Sequence, residues 1–246
     1  MYYVLSALGI MLGIFCTIFL GKINCRRFSL IAFLVICLLS FFAISRLLGL
    51  FSYGAYLYNR GSFSFLKACR GSGFIIWGAI IGFCLAARLL AKKFALSISD
   101  SSMLSALFLT SFHWLAKLGC FHAGCCYGII SNSSLAILPI VDIGPSVARL
   151  PVQLIESSVV FLLWCTVICF SFRNRLRRHA LPLYLFSYSV TRFFLEFFRG
   201  DDTRGKVGGF YFSQWISIFI LSLVVTIYAI GFIKKNLNRF SVRSKI

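Results

Sequence analysis

Apolar runs of membrane-spanning length, recurring from one end of the chain to the other, decide what this sequence can fold into. A hydropathy window places seven of them, at roughly residues 2–20, 30–51, 74–91, 102–119, 153–172, 181–198 and 210–233. The hydrocarbon core of a bilayer is about 30 Å thick, and about 20 helical residues cross it. Within that layer each backbone N–H and C=O must find its partner inside the segment, which leaves the α-helix as the form such runs adopt. The predicted fold class is therefore all-α, a polytopic membrane bundle of about seven transmembrane helices. No linker is long enough to divide the chain and no repeat is visible, so residues 1–246 are expected to form a single transmembrane domain. A soluble fold is excluded by composition, because 60% of the residues are hydrophobic and only 13% charged, too few to cover a water-facing surface. The first run lacks a basic start and is too long for a cleaved signal peptide, so it is expected to be a retained helix.

The formal net charge of +19 is distributed in a way that favours lipid over nucleic acid. Most Lys and Arg residues stand in short runs at the ends of apolar blocks, where they face anionic headgroups. No basic stripe and no nucleic-acid motif accompanies them. Counted over the connections with the amino terminus outside, the inner side holds fourteen Lys and Arg and the outer side seven. The bias of basic residues towards the inside then favours amino terminus out and carboxyl terminus in. The outer side also receives the longer connections, 52–73 and 120–152, whose glycines and aromatic residues suggest segments dipping into the interface. Several of the ten cysteines lie within apolar blocks, where a free thiol behaves as a small hydrophobe, so no disulfide framework is expected.

Ionisable residues inside spans are costly, and by default they mark function. Arg46, Arg88, His113, Lys117, Glu156, Arg192 and Glu196 are the candidates. Arg88 is close enough to a boundary to extend its charge to the interface. Tyr188, Arg192 and Glu196 follow one another at intervals of four, with Arg199 three residues further, so all four share one helical face. A polar stripe on a helix otherwise rich in Phe, Leu and Val must face the bundle interior. It reads either as a structural ion pair between helices or as an arginine that Glu196 orients for a phosphate, whose oxygens match the guanidinium fork.

A second constellation follows at residues 113–128. His113 and Lys117 lie four apart on one helix face, and Gly119, Gly124 and Gly128 interleave with Cys120, His122, Cys125 and Cys126. The cysteine spacing is not that of a standard zinc motif, and adjacent cysteines seldom ligate one ion comfortably. Small residues packing at a re-entrant turn are the preferred explanation, and neither a metal nor a cofactor is expected.

The run Lys117-Leu-Gly-Cys-Phe-His-Ala-Gly-Cys-Cys-Tyr-Gly128 resembles the signature of the prolipoprotein diacylglyceryl transferase family, in its cysteine-rich form. Four further segments agree in order and spacing: Ser45-Arg46-Leu47; Gly71 to Gly78, followed by Gly82; Pro151-Val-Gln153-Leu-Ile-Glu156; and Tyr188 to Asp202. The likeness covers about residues 40–220. It implies transfer of the diacylglyceryl group of phosphatidylglycerol to the lipobox cysteine thiol of a preprolipoprotein, with glycerol phosphate leaving. The partners implied are phosphatidylglycerol, preprolipoprotein signal peptides and membrane lipids, at a multi-pass protein of the bacterial inner membrane whose site opens outwards.

On that resemblance Arg192, Glu196, Tyr188 and His113 are the expected catalytic residues. Lys117, Arg192, Arg46, Gly119 and Gly128 are expected to bind phospholipid, with Gln153, Glu156 and Arg199 in support. The chain departs from the family pattern at three places. Lys117 stands where arginine is usual, Trp77 where a histidine precedes the glycine, and Leu150 and Ile155 replace a histidine and a tyrosine around Pro151. Lysine keeps the charge but loses two-pronged geometry, and Trp77 removes a proton acceptor. A lapsed relative that binds phospholipid without chemistry is therefore the alternative reading. A transporter would call for paired broken spans or a repeat, and neither is present.

Overall fold

The computed structural model describes residues 1–21, 27–138, 140, 147–201 and 205–243. Among them are eight α-helices: α1 Tyr2–Leu20, α2 Arg27–Asn59, α3 Phe65–Gly71, α4 Ile76–Leu90, α5 Ile98–His122, α6 Val152–Ser171, α7 Ala180–Leu195 and α8 Phe212–Arg243. Short 3₁₀ turns, Arg177–His179 and Glu196–Phe198, extend α7 at both ends. A two-stranded hairpin, β1 Lys206–Val207 and β2 Phe210–Tyr211, leads into α8. The architecture is all-α and the chain is a multi-pass membrane protein. The nine described cysteines are free thiols.

Five described helices, α1, α2, α5, α6 and α8, are long and apolar enough to cross a bilayer. A sixth crossing arises if α3 and α4, bent by 87° at their junction, count as one span. The expected segment 181–198 forms α7, whose 16 residues reach about 24 Å at 1.5 Å each, short of the hydrocarbon thickness. Its flanking 3₁₀ turns make up the difference. The bend before α4 arises where Ser72 and Ile75 take extended backbone and stop one helix before the next begins.

Contacts between helices fix their directions. Along α1 and α5 the neighbours are Gly9 with Phe112 and Gly13 with Phe108, so as one number rises the other falls and the helices are antiparallel. The same holds for α2 and α4, where Ser40 Oγ donates to Gly82 O at 2.8 Å and Gly78 lies against Ser45. Ser157 of α6 donates to Trp114 O and Trp164 Nε1 to Ser111 Oγ, both at 2.8 Å, and α7 and α8 meet through Gln214 Nε2 and Phe193 O at 3.4 Å. Residues 60–75, 123–138, 147–151, 199–201 and 205–211 thereby gather at one end of the bundle, called here the upper end.

The opposite, lower end is tied by Arg177, which donates to Asp100 at 2.9 Å and to Gly21 O. Ser97 caps α5 there by accepting from Asp100 N at 3.0 Å, a Ser-x-x-Asp version of the capping box.

The interior is arranged around α5. Of its most apolar stretch 72% is buried, against 17% for α8. The buried face of α5 carries Ser101, Ser102, Ser105, Thr110, Ser111, His113 and Lys117, while large apolar side chains such as Leu162, Phe219 and Phe232 point outwards. That inversion is expected where the surrounding solvent is lipid. Helices in lipid associate through small residues that let backbones approach. A Cβ on Gly78 would lie 2.5 Å from Ser45 Cα, and one on Gly82 would run into Ser40 O.

Gly78→Val is therefore expected to overpack the α2–α4 seam by about 1–3 kcal/mol and lower the thermal midpoint of the detergent-solubilised protein. Gly231→Ala, in α8 with nothing within 4 Å of the added methyl, leaves that midpoint unchanged or raises it. Equal midpoints for Gly78→Val and the parent would show that the seam does not depend on close approach.

Candidate active site

Glu156 begins the second turn of α6, immediately after Pro151 and Gln153, and that placement carries its carboxylate into the bundle at 1% exposure. A charge so deep requires partners, and α5 and α7 provide them. Lys117 Nζ of α5 lies 2.9 Å from Glu156 Oε2, and Arg192 Nη1 of α7 lies 3.6 Å from the same oxygen. Tyr188 of α7 donates its hydroxyl to Glu156 Oε1 at 2.8 Å, and His113 Nε2 of α5 stands 3.6 Å from that oxygen. The other ring nitrogen of His113 is 2.9 Å from Tyr184 OH. One carboxylate thus joins three helices.

Arg192 continues the network. Its Nη2 meets Glu196 Oε2 at 2.7 Å, four residues along the helix face. Its Nε and Nη1 are buried and hydrogen-bond to no other described residue. Arg199 follows, 3.9 Å from Glu196 and bound two-pronged to Asp201 at 2.9 and 2.5 Å. Burial works against the charge on Arg199, but Cys126, Asp201 and Glu196 beside it hold its protonation well above the ordinary range. Lys117, Arg192 and Arg199 balance Glu156, Glu196 and Asp201, so the set is close to neutral and tolerable inside the bundle. Arginine's fork still offers unspent donors.

Extended strands of the upper connections close over this end. Ile129 N donates to Phe198 O and Gly200 N to Tyr127 O, both at 2.9 Å, and Leu150 N donates to Ile129 O at 3.0 Å. Gln153 Nε2 donates to Cys125 O at 2.8 Å. A Cβ on Gly128 would run into Leu150 O, so only glycine lets these strands meet. A shallow cleft, with room for little more than a water molecule, opens beside them, lined by Phe121, Gly124, Tyr127, Arg149, Leu150 and Gln153 among others.

His113, Lys117, Glu156, Tyr188, Arg192, Glu196 and Arg199 are thus brought into one connected group. Arg46 is not part of it: its guanidinium donates to Cys69 O at 2.7 Å and to Ser72 O, clamping the bend between α3 and α4. Gly119 lies against Tyr2 of α1, where an added Cβ would meet its backbone at 3.2 Å. Trp77 is fully buried with its ring 4.8 Å from that of Tyr188, packing the side of the network.

Two members were not singled out in the sequence. Tyr184 precedes Tyr188 by four residues on the same α7 face, and extending the stripe one turn back would have found it. Asp201 follows the helix and had no periodic signal. The Sγ atoms of Cys120, Cys125 and Cys126 gather within 4.8 Å of one another beside this group. Hydrogen bonds from Cys120 and Cys125 hold the Cys126 thiol well below the usual thiol range, against the effect of its burial.

The chain matches the prolipoprotein diacylglyceryl transferase family over residues 1–230. It is similar to phosphatidylglycerol–prolipoprotein diacylglyceryl transferase 2 of Clostridium perfringens, 36% identical over 166 residues. That match covers 67% of this chain and 64% of the relative, so the matched part spans about two-thirds of the relative's length. The phosphatidylglycerol–prolipoprotein diacylglyceryl transferase of Clostridium tetani is 32% identical, with 67% of each chain covered. That of Francisella tularensis subsp. novicida is 28% identical, covering 75% of this chain and 68% of the relative. The family match over nearly the whole length of a multi-pass helical bundle makes the chain a member of the prolipoprotein diacylglyceryl transferase family.

Proposed function

We propose that the chain moves the diacylglyceryl group of phosphatidylglycerol to the lipobox cysteine of preprolipoproteins, releasing glycerol phosphate at the outward end of the bundle in a bacterial inner membrane. The whole chain acts as one domain. The observation that carries this reading is Arg192, a buried guanidinium oriented by Glu196 with Nε and Nη1 not hydrogen-bonded to any described residue. The activity of the related transferases supplies the chemistry it would serve.

The reaction breaks a bond between a glyceryl carbon and a phosphate oxygen, and negative charge develops on that oxygen. Fixed cations in a dry site lower the barrier by stabilising this charge. Nε of Arg192 and Nη1, which holds Glu156 only at 3.6 Å, suit phosphate oxygens, and Lys117 supplies a second positive charge from the facing helix. Glu156 holds both cations while the site is empty of phosphate, and Tyr188 fixes the carboxylate in turn. His113 lies within one rearranged hydrogen bond of the same carboxylate, so a proton can pass along Tyr184, His113 and Glu156. Gly119, Gly128 and Arg46 support binding by shaping the surrounding backbone rather than by offering charge to the lipid.

Supplied to cells depleted of their own transferase, the chain is expected to restore growth and lipidated prolipoprotein. Absence of both at good expression would overturn the enzyme reading and leave phospholipid binding. Arg192→Ala is expected to lower transfer by at least about a hundredfold, the usual cost of losing one charge-stabilising donor. Arg192→Lys should fall between that variant and the parent, because it keeps charge without the fork. Unchanged activity in Arg192→Ala would move the site elsewhere.

Glu156→Gln leaves buried cations short of a partner and is expected to destabilise the protein by about 3–5 kcal/mol. Tyr188→Phe, which removes a single hydrogen bond, should cost about 1 kcal/mol. Thermal unfolding in detergent distinguishes the two, and equal midpoints would deny Glu156 its organising role.

A further inference from the structure

We infer that Cys120, Cys125 and Cys126 form a zinc site with three thiolate ligands, whose fourth position takes the thiol of the substrate cysteine. The second half of this inference rests on the transferase reading above; the site itself does not.

Zinc is bound tetrahedrally by thiolates at about 2.3 Å, which places ligand sulfurs about 3.8 Å apart. The three Sγ atoms already lie within 4.8 Å of one another, so side-chain rotation of about 1 Å at most brings them to that spacing. Sequence spacing alone argued against a site, because adjacent cysteines on regular backbone point apart. The backbone here is not regular. Cys120 sits in the last turn of α5, Gly124 turns the chain at φ 66°, and Cys126 adopts φ 60° in the left-handed region that few residues other than glycine enter. Cys125 N donates back to Cys120 O at 3.1 Å and closes the turn. These turns direct two neighbouring thiols and one helical thiol to a common point.

Exposure and charge agree with an open site. Cys125 is exposed while Cys120 and Cys126 are half-buried, so three ligands come from the protein and one side remains accessible. Three protein ligands with a free fourth position are the arrangement of catalytic rather than structural zinc. Three thiolates and Zn²⁺ carry one net negative charge, and Lys117 and Arg199 stand beside Cys126 to offset it. Gln153, which lines the cleft, holds the cysteine loop through Cys125 O at 2.8 Å.

The site supplies what Trp77 removes, a means of ionising the incoming thiol. A thiol that coordinates zinc gives up its proton to solvent and remains as the thiolate. The sulfur electron pair then forms the S–C bond to the glyceryl carbon. The C–O bond to phosphate breaks, and its electron pair leaves with glycerol phosphate, which Arg192 and Lys117 receive. Zinc is neither oxidised nor reduced. The thioether product is a weaker ligand than a thiolate, and water or the next thiol replaces it.

A free thiol of ordinary acidity is about 3% ionised at pH 7, so full ionisation on the metal is worth about 30-fold in rate. The test uses the full chain, purified under reducing conditions in lipid nanodiscs. One zinc per chain is expected by elemental analysis, and Co²⁺ exchanged into the site should give a tetrahedral thiolate spectrum. Both should vanish in Cys120→Ser and Cys126→Ser and persist in Cys165→Ser. A lipobox peptide with its cysteine should change the Co²⁺ spectrum, and the same peptide with serine should not. Chelation at pH 7 should lower transfer about 30-fold, with Zn²⁺ restoring it.

Metal content no higher than that of the Cys120→Ser/Cys125→Ser/Cys126→Ser variant would overturn the inference, as would identical spectra with the two peptides. A disulfide among the three cysteines in protein extracted without reductant would do the same. If the serine variants unfold, the two peptides on the parent protein still decide. Transfer that is indifferent to chelation removes the zinc step and leaves the transferase reading intact, whereas no transfer under any condition removes both.

Discussion

A carboxylate carried into the middle of an apolar bundle has to be neutralised where it sits, and Glu156 is neutralised from two neighbouring helices at once. Lys117 approaches from α5, Arg192 and Tyr188 from α7, and Glu156 itself hangs from α6. Each partner is buried because the carboxylate is buried, and each would be costly alone. The helices have little apolar driving force for association within lipid, so polar interactions of this kind, together with close backbone approach, fix their register. Moving α7 by one turn would separate both Arg192 and Tyr188 from Glu156 and leave the carboxylate with Lys117 and His113 alone.

The same interaction accounts for the chemistry assigned to the site. A network of three cations and three carboxylates is stable at rest because it is nearly neutral, yet its hydrogen bonds are unequal. Arg192 has a close contact to Glu196 through Nη2 and a longer one to Glu156 through Nη1, with Nε left over. An arriving phosphate group can use Nε and the loosely held Nη1 without first dismantling the network. Lys117 already spends its charge at 2.9 Å on Glu156, so in the proposed reaction a phosphate would have to share it. Arg192 is therefore the stronger anchor of the two.

The upper connections do more than join helices. Strands around Ile129, Leu150 and Phe198 hydrogen-bond to one another across three separate parts of the chain. Their pairing satisfies backbone groups that would otherwise be stranded near the membrane interface. It also fixes Cys125 and Gln153 beside the charged group, so that a thiol cluster and the buried Arg192 share one end of the bundle. Trp77, fully buried, fills space against Tyr188 and packs the side of the charged group.

Much of this was legible in the residues themselves. Helical class and membrane embedding follow from apolar runs, because a buried backbone must pair with itself whatever its neighbours do. The stripe Tyr188, Arg192, Glu196 and Arg199 follows from helical periodicity, and so would Tyr184 had the stripe been extended. Span lengths were less legible, since hydropathy does not see the bend between Gly71 and Ile76 or the tightening of α7 into 3₁₀ turns. The meeting of Glu156 with Lys117 and Arg192 lay beyond the sequence: residues about forty apart come together only when three helices have chosen their register. So did the departure of Arg46 to the α3–α4 bend and the convergence of three thiols. Periodicity governs what one helix presents along its own face; which faces meet, and where an irregular loop aims its side chains, is decided by packing over the whole bundle.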